Sequence, residues 1–169
     1  DGYTGTVVAG IDRTGVPPAS LKYTWASIPP EAVTTSKTAR IKIESDHAQE
    51  SMKISDTSTG DFTIVGSVTI TAPTASDKLK VGGSFNVTWT PNGLTDADML
   101  YLQYNINDGA FTTVDLNGDA QINSADSFKA TNGSQLWNDI PNIVSSNVKV
   151  RLQHTTLAGL YATSAGFAV

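Results

Sequence analysis

The chain has 169 residues, no cysteine, and eleven Lys and Arg against sixteen Asp and Glu, for a formal charge of −5. Without a basic cluster to neutralise phosphates, a nucleic-acid partner is not expected, and without thiols there are no disulfides, thiolate nucleophiles or zinc–thiolate sites. No run reaches the roughly eighteen apolar residues needed to cross a bilayer, so membrane insertion is not expected, and a secretion signal, if the protein has one, is expected outside these residues because DGYTGTVV is neither charged nor greasy enough to be one.

Thr, Ser, Val and Ile are abundant, Glu and Lys are sparse, and 14 Gly and 7 Pro are spread along the chain, which favours strands and turns. An all-β protein of one large or two small domains is expected, with roughly two thirds of the unfolded surface buried.

In chain order, residues 1–66 read as an incomplete copy of the pattern in residues 67–169. DGYTGTVVAG resembles DGAFTTVDLN (108–117), and LKYTWASIPP (21–30) resembles SQLWNDIPN (134–142), which pairs Trp25 with Trp137. ARIKIES (39–45) matches VKVRLQH (148–154), and STGDFTIV (58–65) matches TSAGFAV (163–169). Residues 66–76 read as a short, strand-like linker. Period-two strands are then expected at 67–73, 84–90, 99–105, 110–115, 147–153 and 163–169. Pro73, Gly82-Gly83, Pro91-Asn92-Gly93, Asn107-Asp108-Gly109 and Asn132-Gly133 supply the turns between them. Short strands about ten residues apart suggest an antiparallel sandwich of immunoglobulin-like type. The domains expected are a partial repeat at 1–66, lacking its N-terminal strands, and a complete one at 67–169.

The stretches TITAP and KLKVGGSFNVTWT, the Asp-Gly hairpin, the W-x-x-I-P segment and SDTSTGDFTI resemble immunoglobulin-like repeats of very large bacterial and archaeal surface proteins and of some fungal wall proteins. That resemblance implies a spacer, stalk or scaffold rather than a catalyst, at the cell surface.

The second copy has a front half, roughly 67–107, that the first lacks. A sandwich without those strands exposes apolar residues such as Tyr3, Val7, Trp25, Ile41 and Ile43 together with open sheet edges. Either the chain is a piece of a longer one, or identical subunits complete the sheet by β-strand donation, which propagates head to tail into a filament.

Within the second copy, DLNGDAQINSAD (115–126) places oxygen-bearing side chains at positions one (Asp115), three (Asn117), five (Asp119), nine (Asn123) and twelve (Asp126), with the Gln121 carbonyl at seven. This is the ligand rhythm of a twelve-residue Ca2+ loop of the EF-hand and dockerin kind, here without helical flanks. Ala120 stands at position six, where Gly is usual and a positive φ would cost about 1 kcal/mol. Ile122, at position eight, is expected to pack inward. A solvated Asn/Asp/Gly turn is the plainer reading. Three carboxylates crowded in one turn, however, repel each other until a divalent cation closes the loop.

The remaining clusters are weaker. Asp56 and Asp61, or Asp96 and Asp98, could hold a second cation but fit turns and caps as well, and His47 and His154 are expected at surface or edge positions. No catalytic motif is present. Trp25, Trp89 and Trp137 could stack on sugars, yet Trp89 alternates with Phe85 and Val87 as a core residue does. A glycan-binding accessory module of a secreted enzyme or adhesin is therefore the alternative to an extracellular, non-enzymatic structural module.

Overall fold

The computed structural model describes residues 39–45 and 54–169. These residues form antiparallel sheets joined by turns, without an α-helix among them. The all-β expectation therefore holds for the described chain. The alternation of large apolar residues with Thr, Gln and Lys is what commits each segment to a strand with one buried face.

Two short strands come first, β1 (Lys42–Glu44) and β2 (Ser55–Thr57), paired in a two-stranded sheet. Next, β3 (Ser67–Ala72), β4 (Phe85–Asn92) and β8 (Ser134–Trp137) form a sheet in the order β3-β4-β8. A second sheet has the order β10-β9-β5-β6 and uses β5 (Met99–Ile106), β6 (Thr112–Thr113), β9 (Val148–His154) and β10 (Tyr161–Thr163). In this sheet β7 (Ser127–Lys129) also pairs with β5. The segment read as a linker is mostly strand β3, since its Ser67, Val68, Thr69 and Ile70 pair with Asn92, Pro91, Thr90 and Trp89 of β4. Gly66, just before it, is required by close packing, because a Cβ there would lie 2.3 Å from Leu94 Cδ2 and 2.9 Å from the Asn92 carbonyl oxygen.

The core lies between these two sheets. Val68, Val87, Trp89 and Trp137 come from one, and Leu100, Leu102, Phe128, Val148, Val150 and Leu152 from the other. Trp89 tilts against Phe128 with ring centroids 5.3 Å apart, and Tyr104 stacks on Trp137 at 5.4 Å. The Trp89 indole N–H donates to the Ala130 carbonyl at 2.7 Å, so its one polar group is satisfied inside. Burying a side chain of this size stabilises by about 3–5 kcal/mol relative to Ala.

Hairpin β1–β2 is built like hairpin β9–β10 in register as far as Ser58, with one extra residue before Phe62. Lys42 faces Thr57 as Arg151 faces Thr163, and Ile43 faces Asp56 as Leu152 faces Ala162. Ala39 and Phe62 exchange both backbone bonds, as do Val148 and Phe167. The Ser58 hydroxyl accepts from Ile41 N–H at 3.2 Å, and the Ser164 hydroxyl accepts from Val150 N–H at 3.1 Å. The readings that rest on Tyr3, Val7, Trp25 and His47 lie outside the described residues.

Candidate metal centre

The 115–126 segment is held at both ends by one strand. Thr112 and Thr113 of β6 pair with Tyr104 and Gln103, while Ser127, Phe128 and Lys129 of β7 pair with Tyr101, Leu100 and Met99. Both anchors lie on the same edge of β5, so the acidic stretch leaves that edge and returns to it. Val114 extends the first anchor, its N–H donating to the Leu102 carbonyl at 2.8 Å.

Inside the loop the side-chain oxygens fold the backbone around themselves. Asp115 accepts from Gly118 N–H through Oδ1 and from Ala120 N–H through Oδ2, both at 2.7 Å. Asn117 Oδ1 accepts from Asp119 N–H, Asp119 Oδ1 from Gln121 N–H, and Asn123 Oδ1 from Ala125 N–H, at 3.0, 2.8 and 2.8 Å. These are successive turns in which a short polar side chain replaces a carbonyl. The winding puts Gly118 at φ +76° and Ala120 at φ +62°.

Asp126 closes the loop. It is fully buried, and its Oδ1 accepts from Leu116 N–H at 2.8 Å and Asn117 N–H at 3.3 Å, while Oδ2 accepts from Asn123 N–H at 2.9 Å. Asn123 and Asp126 thereby form a capping box on the short 3-10 turn Ser124–Asp126. The Asn123 N–H bond, with those from Leu116 and Asn117, holds the Asp126 carboxyl below its ordinary range against the opposing effect of burial.

Asp115 and Asp126 tie the loop at positions one and twelve, accepting between them from five of its backbone N–H groups. Asp119 does not join them. Its Oδ2 accepts from the Asn117 and Asn123 amides at 3.0 and 3.1 Å, and no three His, Cys, Asp or Glu among the described residues converge on one point. The expected crowding of three carboxylates is not seen, because the neighbouring amides engage Asp119 instead. The donor types suit a hard cation: the carboxyls of Asp115 and Asp126, two amide oxygens and a carbonyl.

Ile122 differs from expectation. It is 51 % exposed. His154 differs in the opposite sense, being buried at the end of the interior strand β9. Its Nδ1 accepts from Thr156 N–H and Leu157 N–H at 3.2 and 3.1 Å, so Nε2 carries the proton and donates to Asp98 Oδ1 at 3.3 Å. Asp98 in turn accepts from Thr95 N–H at 2.8 Å, a turn role of the kind expected. Asp96 is engaged by Lys129 and Thr131, Asp61 by Arg40, and Asp56 by Thr57 N–H.

The alternation does not reveal two further features. An open hollow of about 400 Å3 lies beside the loop, lined by Thr112, Asp115, Asn117, Trp137 and Asp139 among others. On the second sheet, the Arg151 guanidinium lies 4.0 Å over Phe111 and 5.5 Å from the Tyr161 ring. Comparison with protein-family models, curated proteins and solved structures finds no match.

Proposed function

We propose that the protein is a non-enzymatic structural module of the cell surface, a stalk, sheath or filament component of tandem immunoglobulin-like sandwiches, stiffened by Ca2+ at residues 115–126. The observation that carries this reading is a twelve-residue loop clamped at both ends against β5, with Asp115 at its first position and the buried Asp126 at its last. A cation between them replaces repulsion with closure, so that binding and local folding are linked. Asp115, Asn117, Asp119, the Gln121 carbonyl and Asp126 are the direct ligands in this reading, with Asn123 acting through water.

The strand order β3-β4-β8 opposite β10-β9-β5 supports the immunoglobulin-like reading of 67–169, and the matched hairpins support a repeat before it. The first unit is then completed by β-strand addition from another chain, identical subunits being one source. The test is a calorimetric Ca2+ titration of the full chain. One site per chain is expected, abolished by Asp126→Asn, and no heat of binding in the wild type would refute the reading.

The glycan-binding alternative rests on Tyr161, 55 % exposed beside Arg151, rather than on Trp89 and Trp137, which are 4 % and 1 % exposed and offer no ring face to a sugar.

A further inference from the structure

The strands of the second sheet carry three Lys or Arg residues, Lys129, Lys149 and Arg151. Lys129 pairs with Asp96 and Lys149 with Asp108, whereas Arg151 meets no carboxylate among the described residues. What holds Arg151 instead is neutral. Its Nε donates to Gln103 Oε1 at 2.8 Å, and Gln103 Nε2 donates in turn to Thr113 Oγ1 at 3.1 Å. The guanidinium lies over the Phe111 and Tyr161 rings, 4.0 and 5.5 Å from their centroids. The pairing sets Thr163, Arg151, Gln103 and Thr113 in one row across β10, β9, β5 and β6, on the face opposite the core residues Leu102 and Leu152. The two Nη atoms have no acceptor among the described residues. They face solvent, because Asn105 Oδ1 is the one buried side-chain polar atom among those residues without a partner. A guanidinium already fixed at Nε, with its Nη edge open, matches the two oxygens of a planar carboxylate and has little rotamer freedom left to lose.

We propose that this face of the second sheet binds a carboxylate-bearing sugar, a uronic acid unit of an acidic glycan. Arg151 pairs with the carboxylate, and the Tyr161 ring, 55 % exposed, lies against the pyranose. Thr163, exposed and directly opposite Arg151, offers a hydroxyl to the sugar. The proposal rests on the glycan-binding reading of Tyr161 and names its ligand class, using none of the residues of the acidic loop. Charge complementarity selects an acidic sugar over a neutral one, since a neutral ring would leave the Arg151 fork without an acceptor. An acidic peptide fits less well. Strand β9 lies between β10 and β5 with its main chain already paired, so a peptide crossing Arg151 finds no open edge from which to draw main-chain hydrogen bonds.

The experiment is a calorimetric titration of the full chain with trimers of galacturonate and of glucuronate, in chelator so that Ca2+ at the acidic loop contributes nothing. Saturable binding of at least one trimer is expected, and its methyl ester, with the same rings and no charge, should bind about tenfold or more weakly. Arg151→Lys keeps the charge but loses the fork and should weaken binding by about tenfold or more. Tyr161→Ala, at an exposed position, should weaken it as well. Lys129→Gln removes a positive charge from the same sheet and should leave affinity unchanged. Failure of both trimers to bind, equal binding of acid and ester, undiminished affinity in Arg151→Lys or Tyr161→Ala, or an equal loss in Lys129→Gln would overturn the proposal. So would tighter, Arg151-dependent binding of a tetraglutamate peptide, which would make an acidic peptide the occupant. Because Ca2+ is absent from this titration, the sugar site and the cation-locked loop can each fail alone.

Discussion

Ala120 stands where the loop turns back to offer its N–H to Asp115, at φ +62°. A Cβ in that conformation costs about 1–2 kcal/mol, while glycine's extra freedom in the unfolded chain costs about 0.4–1 kcal/mol. Ala120→Gly should therefore stabilise the protein by roughly 0.5–1 kcal/mol, measured by urea denaturation. A loss of stability would mean that the methyl makes a contact worth more than the strain. The spacing of oxygen-bearing residues made the strain at Ala120 legible in the sequence. The fates of Ile122 and His154 were not, because each depends on what lies over it. Ile122 is left half exposed, whereas the turn after β9 wraps His154 and donates two N–H groups to its ring.

At the scale of the element, the acidic loop is tied shut by Asp126, whose carboxyl is held below its ordinary range chiefly by the Asn123 N–H. A depressed folded pKa contributes stability that is present above the unfolded value, about 3.9, and is lost as pH falls through the folded one. Acid unfolding followed by tryptophan fluorescence should steepen below about pH 4, and Asp126→Asn should be less stable at pH 7 with a shallower acid limb. Asp77, Asp96 and Asp108 are also lowered, by Thr74, Thr131 and Lys149 first in turn, so part of the limb remains in the variant. An unchanged limb would show that Asp126 does not lock the loop. The longer strands, β3, β4, β5 and β9, were legible from alternation alone. The 110–115 segment shortened to Thr112–Thr113 because Asp115 already serves the loop, and β7 and β8, three and four residues long, were too short to show a period. Their pairing is fixed by β5 and β4, a tertiary cause that local sequence does not carry.

At the scale of the whole molecule, the described residues carry one hairpin design in two settings, β9–β10 buried against β5 and β1–β2 with its isoleucines exposed. The likeness of the two hairpins was legible because Ser58 and Ser164, and Phe62 and Phe167, occur in the same order. In the proposed module the loop's role is mechanical, a cation fixing a bend between β6 and β7 so that the sandwich bears load as one body. The most direct test is the thermal midpoint of the full chain with saturating Ca2+ and with chelator. At about 100 times the dissociation constant, a single native-state site stabilises by about 2.7 kcal/mol, which raises the midpoint of a domain this size by on the order of 10 °C. That rise, reversed by chelator, is the expected result, and the same midpoint in both conditions would contradict a cation-locked loop.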